Sequence, residues 1–397
     1  MNFKGKKLMI LGAGIYQKPL IKKAKKMGLT VHVCSKMGDY PGIPIAPFFH
    51  EVDISNPTKI LNLAKKLEID GILTTATDVC LESIGYVVDE LNLSGTGLMD
   101  SIACLNKSVM KKRFLLADVP SPDYLEANSI QDAIKFFNTK SVNCVLKPTD
   151  SSGSRGVTKI ESIDEIESAF QEACKFSNLN KVIIEEWVDG EEFGAQVVVI
   201  DKKIEMLIIH SDLTTPPPHR IPIAHGCPHP KEKELLPLVT EILSKAIKAL
   251  GVNNTICNVD FILSKNGPQI IEMTSRMGGT RLPEVCGKYW GVDLYKLAIK
   301  ISLGEKPKIP KNPKGIPNAA HNIILKKTGY VEKLGDMDEK HTWKLTIKEG
   351  EKVNFNISNL IEIGYIHVFN SDPIKALTSS SILANKFRDT IIILEEN

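Results

Sequence analysis

A chain of 397 residues, 43% hydrophobic and 24% charged, has room for two or three packed domains and the composition of a globular protein. Its net charge of +3 offers no basic field for nucleic acid as the main partner, and no window is apolar enough to span a membrane. The eight cysteines are scattered without a Cys-x-x-Cys pair and Met1 opens no apolar leader, which fits reduced thiols in a cytoplasmic protein.

Lys7 to Leu11 reads as a short strand running into Gly12-Ala13-Gly14 and a helix with Pro19 in its first turn. Val31 to Cys34 is a second strand, Ile54 to Leu67 a helix and Ile69 to Thr74 a third strand, an alternation that predicts a parallel sheet flanked by helices. Gly12-x-Gly14 is half of a dinucleotide fingerprint. Gln17 occupies the third glycine position, and Cys34-Ser35-Lys36 puts no acid at the second strand's tip, so a nicotinamide oxidoreductase is the third choice. Asp78 and Glu82 follow a strand's carboxyl end, where they either face a crevice or are ordinary loop acids.

A helix carries Asn106 to Lys111, and Val142 to Leu146 is a strand ending in Lys147-Pro148. The Gly/Ser loop that follows, Thr149 to Val157, lets backbone amides approach phosphate oxygens, and without a Gly-Lys-Ser/Thr ending it is not a Walker loop. An amphipathic helix over Ile163 to Phe176, a strand over Val182 to Val188 and a turn at Asp189-Gly190 complete a small lid unit. Thr214 to Pro230 gathers His219, His225, Cys227 and His229 in a proline-rich loop. Zinc is conceivable there, but the spacing matches no standard structural site, and a loop beside a substrate pocket or a plain surface loop fits better. Glu232 to Leu250 is a long amphipathic core helix.

Thr255 to Ser264 and Gln269 to Thr274 are apolar, β-favouring runs joined by Lys265-Asn266-Gly267. Centring the turn on Asn266 sets Asp260 opposite Glu272, Asn258 opposite Thr274 and Ile262 opposite Ile270, with Val259, Phe261, Ile271 and Met273 on the core face. Opposed carboxylates repel unless a cation lies between them or one is protonated, and Mg²⁺ shared with nucleotide phosphates answers that need. An exposed hairpin that tolerates its acids, or a register slipped by one residue, is the competing reading. After Pro317 the chain predicts strands over Ala319 to Leu325, Trp343 to Ile347, Ile363 to Phe369 and Thr390 to Leu394, with a helix over Pro373 to Phe387.

This order of features resembles the ATP-grasp superfamily of carboxylate–amine ligases, in its carbamoyl-phosphate-synthetase and biotin-carboxylase-like branch. The resemblance implies an α/β and α+β protein: an N-terminal parallel-sheet domain (1–104), an ATP-grasp domain (105–305, mobile lid about 118–190) and a small C-terminal β-rich domain (306–397). It implies ATP with Mg²⁺, or Mn²⁺ in its place. Lys107, Lys147 and the lid loop with Ser152, Gly153, Ser154 and Gly156 would hold phosphates, the backbone of Glu185, Glu186, Trp187 and Val188 adenine, and Glu192 ribose. Asp260 and Glu272 would carry the metal, with Thr274 where the family often has Asn, a weaker neutral ligand. Arg276, with Gly278 and Gly279, would sit beside the γ-phosphate, and Arg276 and Lys147 take the catalytic roles. The implied activity is a carboxylate–amine or carboxylate–thiol ligase working through an acyl-phosphate. The alternatives are activation of bicarbonate or formate, or a nucleotide-binding regulatory protein with little turnover. Partners are small-molecule acids and amines, with a homodimer allowed for.

Overall fold

The computed structural model describes residues 3–140, 142–151, 153, 155–215, 221–325, 327–353 and 361–394. The N-terminal unit begins with β1 (Lys7–Leu11), α1 (Lys18–Lys26), β2 (Thr30–Ser35), β3 (Phe48–Glu51), α2 (Pro57–Leu67) and β4 (Gly71–Leu73). Its four strands are parallel in the order β3-β2-β1-β4, as the strand–helix alternation predicts. The short edge strand β3 escapes the sequence pattern because Phe48-Phe49-His50-Glu51 is partly exposed on both faces and shows no alternation. Three helices then lead out: α3 (Leu81–Leu91), α4 (Leu98–Leu105) and α5 (Lys107–Leu116), the last capped by the Asn106 side chain.

The lid comprises β5 (Tyr124–Ala127), α6 (Ile130–Lys140), β6 (Cys144–Pro148), β7 (Thr158–Ile160), α7 (Ile166–Lys175) and β8 (Val182–Glu186). Its sheet runs β5-β8-β6-β7. Cys144, Leu146, Val182 and Ile184 pack on Ala133, Ala169 and Ala173 of the helices. Strand alternation turns Val145, Lys147 and Glu185 to the opposite face, toward the rest of the molecule.

Next come β9 (Glu191–Ile200), β10 (Lys203–Thr214), β11 (Pro222–Cys227), α8 (Glu232–Leu250), β12 (Thr255–Ser264), β13 (Gly267–Thr274), α9 (Leu282–Trp290) and α10 (Leu294–Ser302). The C-terminal segment adds β14 (Asn318–Leu325), β15 (Gly329–Lys333), β16 (Thr342–Leu345), β17 (Lys352–Val353), β18 (Ile361–Phe369), α11 (Pro373–Thr390) and β19 (Ile392–Leu394). The central sheet has the order β13-β12-β9-β10-β11-β14-β18-β16, so C-terminal strands extend the same sheet through the β11–β14 ladder.

Parity along these strands decides what faces where. Odd-numbered Phe193, Ala195, Val197, Val199, Leu207, Ile209, Val259 and Phe261 form a core with Leu235, Val239 and Leu243 of α8. Even-numbered residues take the other face, whose apolar end (Val198, Met206, Ile208, Ile256) packs in a core shared with β1, α1, α9 and α10. The polar end of that face carries Gly194, Gln196, Asn258, Asp260, His210 and Asp212, of which Asp260 and Asp212 line a cleft.

Candidate active site

A cleft of about 340 Å³ lies between the lid's inner face and this polar floor. In the β12–β13 ladder Asp260 pairs with Glu272, Val259 with Met273 and Asn258 with Thr274. A bulge after Asp260 shifts the rest of the register, so Ile262 faces Gln269 instead of Ile270, and Phe261 faces Ile270. The core therefore receives Ile270, while Ile271 joins the cleft wall beside Glu272, a correction to the expected core face. The acidic pair stands on the residues that precede the bulge and keeps its expected position.

Charge around this pair is unevenly balanced. Glu272 Oε1 lies 3.0 Å from Lys107 Nζ, which also donates to the Ser151 carbonyl at 2.7 Å. Burial disfavours both charges, yet their mutual attraction wins: the Glu272 carboxyl is held low and the Lys107 ammonium high. Among the described residues Asp260 has only Asn258 Nδ2, at 2.9 Å. Burial first, then the neighbouring charges of Asp212 and Glu272, push its pKa from 3.8 up to about 7. The Thr274 hydroxyl is buried without a hydrogen-bond partner among the described residues. Two opposed carboxylates, one short of positive charge, and an orphaned neutral oxygen are a donor set that fits a hard divalent cation.

A pH dependence follows for metal-free protein. The unfolded chain releases the Asp260 proton near pH 3.8, whereas the native state keeps it to about 7. Stability therefore falls as pH rises through that window, by on the order of 2 kcal/mol once solvent access to the cleft is allowed for. Urea melts at pH 5 and 8 should show this loss, and Asp260→Asn should flatten it.

Lys147 Nζ is 2.8 Å from Glu185 Oε1, and Lys111 Nζ is 3.4 Å from Glu185 Oε2. All three side chains are buried. The Glu185 carboxylate thus anchors Lys147 instead of reaching into solvent. Burial and the neighbouring Lys147 charge, against Glu185, bring Lys111 down to about 8. The sequence reading missed Lys111; its signal is the spacing of four from Lys107, which puts both on one face of α5. Glu186, Trp187 and Val188 line the cleft. The Glu186 and Trp187 amides donate to the Asp123 and Asn143 carbonyls, and the Val188 amide has no partner among the described residues. Glu192, opposite Ile262, also lines the cleft. In the lid loop, Gly153 holds φ +71° with open space around it, and Gly156 holds φ +69° against Phe176. Ser152, Ser154 and His219 lie outside the described residues.

Arg276 Nη2 binds Asp78 Oδ2 at 2.7 Å and Nη1 donates to the Met277 carbonyl at 3.2 Å. The Ala76 amide donates to that same carbonyl, tying the segment after β13 to the end of the N-terminal sheet. Asp78 and Glu272 line a common cavity of about 260 Å³, and Glu82 lines a separate one beside Gly12 and Gly14. Gln17 fills the third glycine position by accepting the Gly14 amide at 2.8 Å and donating to the Thr75 carbonyl. That amide is then taken by the protein's own side chain, against the dinucleotide reading.

Among the described residues the histidine loop does not gather. His229 pairs with Glu191 at 3.2 Å, Cys227 is buried in the core, and His225 turns to Asp212. Asp212 Oδ1 accepts from His210 Nδ1 at 2.9 Å and from His225 Nδ1 at 2.5 Å. Burial opposes charge on Asp212, but the two histidines hold its carboxyl well below the usual range. Burial also opposes charge on His210, and Asp212 outweighs it to about 9. His210-x-Asp212 on a β-favouring run was the available signal, since residues two apart share a strand face.

Residues 104–280 match the family model for the ATP-grasp domain. The chain carries an ATP-grasp domain. Over the whole chain it is similar to the crystal structure of phosphoribosylglycinamide synthetase from Anaerococcus prevotii, at 27% identity and a TM-score of 0.79, covering 98% of this chain and 100% of that one. The biotin carboxylase domain of Hydrogenobacter thermophilus 2-oxoglutarate carboxylase, solved with MgADP and bicarbonate, shares the fold at 16% identity and a TM-score of 0.78, over 98% of this chain and 90% of that one. The uncharacterized protein y4rH of Sinorhizobium fredii is 24% identical over 314 residues, 77% of this chain and 64% of that protein's length. The expectation of an ATP-grasp domain is borne out by the matched family model, and the expected fold by these solved structures. No helix among the described residues is long and apolar enough to cross a membrane.

Proposed function

We infer that this protein joins a small-molecule carboxylate to an amine, driven by ATP. The observation that carries this reading is the in-register Asp260–Glu272 pair on the floor of a cleft roofed by the lid. Asp260 and Glu272, with the Thr274 hydroxyl, would hold Mg²⁺, which would neutralise phosphate charge when bound. Lys107 and Lys147 face the same cleft and would offset negative charge on the transferred phosphoryl group. Lys107 is positioned by Glu272 and Ser151, Lys147 by Glu185. A substrate carboxylate oxygen attacks the γ-phosphorus and ADP leaves. The amine nitrogen then attacks the acyl carbon, the C–O bond to phosphate breaks, and the nitrogen sheds its proton. Arg276, fixed by Asp78, presents a planar donor to the carboxylate or acyl-phosphate. Lid closure over Gly153 keeps water from the acyl-phosphate.

An ADP-release screen of amino acids and sugar acids, offered singly and paired with amines, tests this. ADP should form with stoichiometric amide product only when an acid and an amine are both present. ADP release that requires only bicarbonate or formate would replace the organic acid. Nucleotide binding without ADP across the whole panel would overturn the enzyme reading in favour of a regulatory one.

A further inference from the structure

We propose that His210, Asp212 and His225 form a second divalent-metal site, of the zinc class, beside the Asp260–Glu272 pair. One ligand atom from each of the three lies within 4.8 Å of the others. Backbone geometry builds the cluster: His210 and Asp212 are two apart on β10, and His225 on β11 stands directly opposite Asp212. The two rings meet edge-on at 5.6 Å between centroids, with both Nδ1 atoms on one carboxylate oxygen. His225 Nε2 lies 2.6 Å from Thr280 Oγ1. A hydroxyl that accepts the Nε2 proton leaves Nδ1 as the ligand atom, the arrangement that outer partners impose on metal-bound histidines.

A further observation supports the site. The His210 ring is fully buried, with its Nδ1 held against Asp212. Gly194, which pairs with His210 on one side and Asp260 on the other, is the residue that makes the room. A Cβ there would come within 2.3 Å of His210 Cε1 and 2.9 Å of Asp212 Oδ2. The cluster and the acidic pair therefore share one gap in the cleft floor, with different chemistry on its two sides. Oxygen donors alone suit Mg²⁺; two imidazoles and one carboxylate suit zinc-class ions. Bonds of about 2.0–2.2 Å place tetrahedral ligands roughly 3.3 Å apart, so an ion entering here displaces the bridging protons and spreads the present contacts by less than about 1 Å. Three protein ligands leave a fourth position. Asp212 lines both the nucleotide cleft and a neighbouring cavity of about 470 Å³, so that position opens to an incoming oxygen ligand.

This site rests on the chain's own geometry and not on the ligase reading. The full-length protein, stripped with a chelator and kept free of nucleotide and Mg²⁺, should be titrated with Zn²⁺ by calorimetry and with Co²⁺ by visible absorption. One equivalent should bind, with a Co²⁺ spectrum of nitrogen and oxygen ligation and no thiolate charge-transfer band. His210→Ala and His225→Ala should each weaken binding about 100-fold or more, and Thr280→Val about 10-fold. Asp260→Asn should retain it. Metal-free urea melts of each variant separate lost ligation from lost folding. Binding that survives both histidine variants, a thiolate band, or no stoichiometric uptake by the wild-type chain would overturn the proposal. A failed substrate screen would remove the proposed reaction and leave this titration unaffected.

Discussion

Asp260→Asn and Glu272→Gln are each expected to lower ADP formation roughly a thousandfold and to leave the fold in place. Either change removes one of two opposed charges that would hold a phosphate-bridging cation, and about 4 kcal/mol of lost charge stabilisation is three decades in rate. The two variants differ in their second effect. Asn at 260 relieves repulsion that burial, Asp212 and Glu272 impose on that carboxyl, so metal-free Asp260→Asn should be more stable than wild type at pH 8. Gln at 272 instead removes the partner 3.0 Å from Lys107 and leaves that buried ammonium with the Ser151 carbonyl. Glu272→Gln should therefore be less stable at pH 8 and bind nucleotide more weakly as well as turn over slowly. Single-turnover ADP formation, nucleotide titration and urea melts measure the three quantities. ADP release at the wild-type rate in both variants would remove the metal assignment.

The acidic pair was legible because a turn, a period of two and an excess of negative charge are all local. Lys265-Asn266-Gly267 marks the reversal, and alternation puts Asp260 and Glu272 on one face once the register is set. The bulge after Asp260 was not legible: Ile270 and Ile271 are the same residue type, and only packing against Phe261 and Met273 decides which is buried. The central sheet shows the same boundary. β12 and β13 follow from pattern, but their placement beside β9, and the continuation through β11 into β14, depend on pairings that no single stretch encodes. Ion pairs fared similarly. Arg276 was singled out by the family resemblance and Asp78 by its place after a strand, yet their contact spans 198 residues of chain. His225 was noticed among the wrong neighbours, because proximity in sequence pointed to Cys227 and His229 while the β10–β11 ladder brings it to Asp212. These misses share a cause: the partners are set by tertiary arrangement and not by neighbouring sequence.

Glu185→Gln is expected to destabilise the protein by about 3–5 kcal/mol at pH 7, the cost of breaking a buried ion pair from one side. Glu185 stands between Lys147 and Lys111, all three are buried, and Lys111 Nζ makes no hydrogen bond of good geometry among the described residues. Neutralising the acid leaves two ammonium groups facing each other without compensation. Lys111 is the one that can yield, since burial and Lys147 already hold it near 8. In the variant it falls further below its unfolded value, so the unfolded chain binds more protons and stability rises as pH increases toward 10. Denaturant melts should therefore show the defect of Glu185→Gln shrinking between pH 7 and 9, and Lys111→Met in the same chain should recover much of it at pH 7. A side chain whose purpose was to touch the nucleotide would behave differently: Glu185→Gln would melt like wild type and lose only ATP affinity. Lys147 is then held in place by Glu185, and the melting curves, not the turnover, are where that acid declares itself.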